Sequence, residues 1–181
     1  MIKSEHVKPQ AIDVLRGLLA RLAGERPGRD RLRFQTNVHV VLRGPDGEVK
    51  EEREVHNLVT DVGCAHIADQ LASSHDESEM SHMAIGTGTN APAAGDTTLQ
   101  TELDRNALTS RTQGAGASDH QVVYVGDWAA GDGTGAITEA GILNNSSGGT
   151  LLARTTFSVI NKGASDTLEI TWTLTVADDG A

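Results

Sequence analysis

The chain contains few cysteine, proline and aromatic residues. Cys64 is the one cysteine among 181 residues, which excludes an internal disulfide framework and any multi-cysteine zinc or iron–sulfur site. Aromatic residues make up 3% of the chain, so a core must be built mostly from Val, Ile, Leu, Ala and Thr. Twenty glycines against four prolines predict many turns rather than a proline-rich linker.

Long apolar runs are also missing. None approaches the roughly 18 residues that a transmembrane helix needs. No apolar stretch follows the basic N-terminal residues, as it would in a signal peptide. We therefore expect a soluble protein that has no membrane contact and is made in a reducing cytoplasm.

Charge is divided unevenly along the chain. Residues 1–33 contain eight Lys/Arg and four Asp/Glu, a net charge of +4, whereas residues 34–181 contain seven and twenty-one, a net charge of −14. We predict a basic N-terminal arm, 1–33, and a body, 34–181. The arm favours an acidic partner, for which an identical neighbour qualifies. The predicted partner-binding residues are Arg16, Arg21, Arg26, Arg29, Arg31 and Arg33.

Direct contact with nucleic acid is disfavoured. Phosphates would repel the acidic body, and residues 1–33 offer no aromatic side chain on which bases could stack.

The arm contains an apolar pattern with helical spacing. Leu15, Leu18 and Leu22 recur at intervals of three and four, which predicts an amphipathic helix over residues 10–23. This helix packs either on its own domain or on a neighbour. Residues 24–33 are charged and interrupted by Pro27 and Gly28, which predicts a hinge between arm and body.

Alternation of apolar and polar residues predicts a body made mainly of β-strands. Residues 34–42 and 48–55 flank a Gly-Pro-Asp-Gly turn and are typical of an antiparallel hairpin. A short helix is predicted over residues 58–72, with Thr60 or Asp61 as its cap and Leu58, Val62, Ala65 and Leu71 on one face. Further strands are predicted at 83–85, 105–112, 121–129, 136–143, 151–160 and 167–176.

About eight strands with glycine-rich turns favour a single β-sandwich or jelly-roll-like domain with one short internal helix and an N-terminal helical arm. Gly141, inside a predicted strand, indicates a bulge.

Motifs for catalysis are few. Gly86-Thr87-Gly88-Thr89 lacks the lysine of a phosphate-binding loop, so tight backbone packing or a strand bulge explains it better. Cys64 and His66 lie two residues apart on the predicted helix and do not face each other, so we expect Cys64 to be a buried, unreactive thiol.

A polar segment, residues 75–82, gathers side chains that bind divalent cations, although polar loops collect such residues by chance. No zinc-helix or nucleophile-elbow pattern is present. We expect no enzymatic activity, catalytic residue, cofactor or metal site.

An ordered series of short blocks is more informative. It comprises Asn57-Leu58-Val59-Thr60, Met83 to Thr89, Ala91 to Leu99, Glu102 to Arg105, Ile137 to Ile142, Gly149 to Arg154 and Leu168 to Leu174. The series, over residues 57–176, resembles a group of small virion structural proteins of tailed bacteriophages.

The resemblance implies a β-rich virion component, made in the host cytoplasm, without catalytic residues. The resemblance leaves capsid decoration, baseplate and tail-fibre roles open. From the charge asymmetry of the arm, the compact β domain and the absence of a catalytic site, we predict a capsid decoration, or cement, protein that contacts the major capsid protein and copies of itself as a trimer. The alternative is a tail, baseplate or host-recognition component whose loops at 73–81, 113–120 and 144–149 form the working surface.

Overall fold

The computed structural model describes residues 32–72 and 75–178. The predicted helix at 10–23, the hinge up to residue 31 and five of the six predicted arginines lie outside these residues. Within the described part, Phe34–Val176 form one compact unit, and the fold below is that of this unit.

Two antiparallel five-stranded sheets make up the unit. Sheet A has the order β2-β1-β10-β7-β6, with β2 Val49–Val55, β1 Leu32–Arg43, β10 Thr167–Asp178, β7 Gln121–Trp128 and β6 Ser110–Gln113. Sheet B has the order β3-β9-β8-β4-β5, with β3 Leu58–Val59, β9 Leu151–Lys162, β8 Gly135–Leu143, β4 His82–Gly86 and β5 Glu102–Ala107. Among the described residues there is one α-helix, α1, Asp61–Gln70. The predicted mainly β fold is thus confirmed, with ten strands instead of about eight.

The core lies between the two sheets. Trp128 and Trp172 from sheet A share one buried cluster with Met83 and Ile142 from sheet B. A Cβ added to Gly126 of β7 would lie 2.9 Å from the Met83 sulfur, so the sheets approach closely there. This face-to-face packing is that of a β-sandwich.

Strands from the two ends of the unit pair with one another. β1 lies beside β10 in sheet A, while in sheet B β3 pairs with β9 and β4 with β8. The late strands β8, β9 and β10 therefore lie inside the two sheets, whereas the early strands β2, β3 and β5 lie at their edges.

The hairpin predicted at the start of the body is present. β1 and β2 pair in antiparallel register, and Val38, Val40 and Leu42 are fully buried at every second position. Gly47 has a φ of 85° in the connecting turn, a conformation that favours glycine.

The helix prediction was right in kind and in its Thr60 cap, but wrong for residues 58–59 and for its buried face. Leu58 and Val59 form strand β3, and the helix begins after Thr60, whose hydroxyl accepts a hydrogen bond from the Gly63 amide at 2.9 Å. Its buried residues are Gly63 and His66 instead of the predicted apolar set. Because a Cβ on Gly63 would overlap the Leu152 carbonyl, glycine allows the helix to pack directly on β9.

The predicted strand at 105–112 is two strands in different sheets. Between β5 and β6, the Leu108 amide donates to the Ser81 carbonyl at 2.9 Å and the Thr109 amide to the Val125 carbonyl at 2.8 Å. The chain crosses from sheet B to sheet A at these two residues, and both of their backbone amides keep hydrogen-bond partners.

The predicted bulge at Gly141 is also corrected. The register of β8 and β9 shifts between Ile137 and Glu139 and again between Ile142 and Leu143, whereas Gly141 itself is regularly paired with Arg154. A Cβ at Gly141 would lie 2.7 Å from Leu99 and 2.8 Å from Leu151, so the glycine makes room for side chains.

Candidate functional site

The long loop between β4 and β5, residues 87–101, covers the outer face of sheet B. Leu99 from this loop packs with Ala84, Leu143 and Leu151 in a second small buried cluster. The space for Leu99 exists because position 141 is glycine. Sheet B is therefore packed on both faces, which gives the body a three-layered region.

A buried carboxylate fixes this loop. Glu139 of β8 is 0% exposed. Its Oε1 accepts hydrogen bonds from the amides of Gly88 at 2.9 Å and Thr101 at 2.7 Å, and its Oε2 accepts from the amide of Gln100 at 3.0 Å. One side chain thus holds both ends of the loop.

Arg154 of β9 neutralises that carboxylate and reaches the middle of the loop. The guanidinium, 2% exposed, donates from Nε to Glu139 Oε2 at 2.8 Å and from Nη1 to Asp96 Oδ2 at 2.8 Å. Its Nη2 donates to the Asn90 carbonyl at 3.1 Å. We name Glu139, Arg154 and Asp96 the loop clamp.

The carboxyls of the clamp are held in their charged form. Burial acts to raise the pKa of Glu139, but the three amides and Arg154 together outweigh it and lower the pKa below its usual value. The Ala93 amide and then Arg154 lower the pKa of Asp96, against a smaller opposing effect of burial.

The loop clamp fixes the position of residues 87–101. Glu139 is fully buried, and both its oxygens already accept hydrogen bonds from the protein. The three residues of the clamp come from three of the sequence blocks quoted above: Ala91 to Leu99, Ile137 to Ile142 and Gly149 to Arg154.

Sequence reasoning missed this pair. Its signal was Glu139 as the one charged residue of β8, and Arg154 flanked by the small and apolar residues 151–153 and 155–157. The packing explanation offered for Gly86 and Gly88 is confirmed, since a Cβ on either glycine would overlap the Glu139 carboxylate.

An apolar groove lies at one end of the body, beside α1. Its volume is about 410 Å³. We name it the end groove; its apolar lining is Phe34, Ile67, Leu71, Met80, Val122, Tyr124, Leu152, Leu174 and Val176. Leu71, directly after the helix, is 81% exposed, so the groove presents apolar surface to solvent.

Charged side chains stand at the margin of the end groove. Arg111 donates to the Met80 carbonyl at 2.7 Å and forms an ion pair with Glu79 at 2.6 Å. His66 lies 3.1 Å from Glu77, whose carboxylate also accepts from the Thr150 hydroxyl at 2.6 Å. The Thr150 hydrogen bond, followed by His66, lowers the pKa of Glu77 against the effect of burial.

The basic residues of the body are all engaged within it. Arg43 donates to the Gly47 carbonyl and Lys162 to the Ala129 and Asp166 carbonyls, while ion pairs join Lys50 to Asp166, Arg53 to Glu51, Arg105 to Glu102, Arg111 to Glu79, and Arg154 to Asp96 and Glu139. Seven cations with internal partners stand against twenty-one acids, so the body presents a surface that is predominantly acidic.

Of the six predicted partner-binding arginines, the structure describes one. Arg16, Arg21, Arg26, Arg29 and Arg31 lie outside the described residues, and Arg33 is exposed on β1. Their role in binding stays a prediction.

Cys64 and the polar segment also have definite positions. Cys64 is exposed on α1, so the expectation of a buried thiol was wrong.

Within the polar segment, residues 75–82, the side chain of Glu77 contacts His66, that of Glu79 contacts Arg111, and that of His82 contacts Ser81. Across the described ranges, no group of three or more His, Cys, Asp and Glu side chains is arranged to hold a metal ion.

Comparison with known proteins adds no relative: no family model, curated protein or solved structure matches the chain. In the part of the chain described here, no helix has the length and apolarity to cross a membrane.

Proposed function

We propose that this protein is a structural component of a tailed-phage virion, most specifically a capsid decoration protein that stabilises the shell through contacts of its arm and its body. Its partners in this proposal are the major capsid protein and further copies of itself, assembled as a trimer. The body would be a jelly-roll-like sandwich, in keeping with the pairing of early strands with late ones.

The observation that carries the proposal is the division of charge between arm and body. Every basic residue of the body has an internal partner, whereas the arm has eight basic residues in 33 positions. Contact with an acidic neighbour therefore falls to the arm. Repeated by symmetry over a shell, many such weak contacts add up to tight attachment.

The loop clamp supports the same role. It fastens the longest loop of sheet B with buried, charge-assisted hydrogen bonds, where an enzyme would keep such groups open to a substrate. A protein that reinforces a shell needs rigidity more than turnover.

The alternative role in the tail, baseplate or host recognition has less support. Loops that bind sugars usually present exposed aromatic rings, and the two nearest candidates are buried: Tyr124 is 6% exposed and Trp128 is 0% exposed. Both belong to β7 and face the core.

Quantitative mass spectrometry of purified virions tests the proposal. A copy number comparable to that of the major capsid protein is expected for a decoration protein. Only a few copies per particle would place it in the tail or baseplate, and its absence from virions would overturn the proposal. A phage encoding the chain without residues 1–33 should lose incorporation if the arm makes the attachment.

A further inference from the structure

The end groove combines an apolar floor with an acidic margin. Leu174 and Tyr124 of sheet A form part of the floor, and Ile67 of α1 with Leu71, the residue after the helix, forms one wall. With Leu71 81% exposed, this wall leaves apolar area in contact with water. Burying that area against a partner is favourable by about 25 cal/mol per Å².

The acidic margin is held in a fixed position. The Asp69 carboxylate of α1 accepts hydrogen bonds from the backbone amides of Asp76 and Glu77, each at 3.1 Å. These bonds tie residues 76–77 to the helix that forms one wall of the groove. Among the acidic residues at this end, Glu79 lines the groove, where it pairs with Arg111, while Asp76 and Glu77 line a neighbouring polar pocket that shares Gln70 and Glu79 with the groove. Asp69, Asp76, Glu77 and Glu79 together are the acidic margin. The margin therefore keeps a negative charge.

We propose that the end groove receives the predicted arm helix, residues 10–23, of a second copy of this chain. Leu15, Leu18 and Leu22 are spaced to lie on one face of such a helix and fill the apolar floor. Arg16 and Arg21 flank that face and meet the acidic margin. This inference rests on the assembly role given to the arm above and names the surface that the arm contacts.

Charge favours a second copy as the source of the helix. Two bodies of net charge −14 repel each other, and an exchanged arm of net charge +4 offsets that repulsion where the copies meet.

Sedimentation velocity of the full-length chain over a concentration series tests the inference. Wild-type protein should self-associate, and Leu18→Glu in the arm or Leu71→Glu in the groove should each weaken association about tenfold or more. Leu103→Glu is the matched control, because Leu103 is also exposed but lies on β5, outside the groove. Since Leu71 is exposed, its substitution leaves the fold intact, which circular dichroism verifies.

Mixing the two variants separates exchange between copies from other arrangements. The Leu71→Glu chain keeps an intact arm and the Leu18→Glu chain keeps an intact groove, so an equal mixture should associate more tightly than either variant alone. A monomeric wild-type chain, variants that associate like wild type, or a mixture no tighter than its components would each overturn the inference. Such a failure would remove the groove as the docking site, whereas virion copy number decides the proposed function.

Discussion

Replacing Arg154 with methionine tests whether the loop clamp stabilises the body as its geometry implies. The substitution keeps a long apolar side chain but removes hydrogen bonds to Glu139, Asp96 and the Asn90 carbonyl. Asp96 is 27% exposed in its side chain and can recover water, but Glu139 is fully buried and cannot. The loss is therefore dominated by an uncompensated buried carboxylate.

The expected magnitude follows from that burial. Breaking a buried ion pair by removing one partner costs about 3–5 kcal/mol. A domain of this kind has a total unfolding free energy of about 5–15 kcal/mol. With a urea dependence of about 2 kcal/mol per molar, the unfolding midpoint of Arg154→Met should fall by roughly 2 M.

Urea unfolding at pH 7, followed by circular dichroism, measures this change. Arg53→Met is the matched control, because it makes the same replacement in the Arg53–Glu51 pair of the edge strand, where both side chains are about 30% exposed. That pair should contribute less than about 1 kcal/mol. A loss for Arg154→Met no larger than for Arg53→Met would refute the reasoning.

A double-variant cycle extends the test. Glu139→Gln places an amide NH2 group where the protein supplies only donors, so it should destabilise strongly by itself. Combined with Arg154→Met, the loss should be clearly smaller than the sum of the two single losses. Additive losses would show that the two side chains act independently.

Three further expectations concern other residues of the described part. Gly88→Ala should lower the unfolding midpoint because its Cβ would overlap the Glu139 carboxylate, while Gly95→Ala, with open space around it, should not; equal effects would contradict this packing. Cys64 should react promptly and stoichiometrically with a thiol reagent in native buffer, and protection until unfolding would contradict its exposure. Because the pKa values of Glu139 and Asp96 are lowered from 4.5 and 3.8, the unfolded chain binds more protons at these two groups, so the unfolding free energy measured by urea titrations at several pH values should fall as pH drops below about 4.5; no fall below that pH would contradict the charged state of the clamp.

The regular strands could be predicted well because they obey a local rule. In β10, Leu168, Ile170 and Trp172 alternate with polar residues, and the structure buries the first set. The Gly44–Gly47 turn was equally predictable, because glycine readily adopts the positive φ that is found at Gly47. Neither feature needs knowledge of distant parts of the chain.

The helix face and the crossing at 108–109 could not be predicted in the same way. The buried face of α1 is set by a glycine that contacts the Leu152 carbonyl, nearly ninety residues further along the chain. The crossing of Leu108 and Thr109 between sheets depends on the partner strands offered by Ser81 and Val125. The pattern of neighbouring residues carries no information on either constraint, because the atoms that impose it belong to distant segments of the chain.

The sequence by itself determined that this chain is mainly β, that its strands alternate, and that its charges divide into a basic arm and an acidic body, because periodicity and charge are properties of neighbouring residues. Only the tertiary structure decided that Glu139 and Arg154 meet in the interior and clamp residues 87–101, and that Leu71 stays exposed at the end groove. Burial and pairing of a charge depend on strand register, and register is fixed by the packing of all strands together.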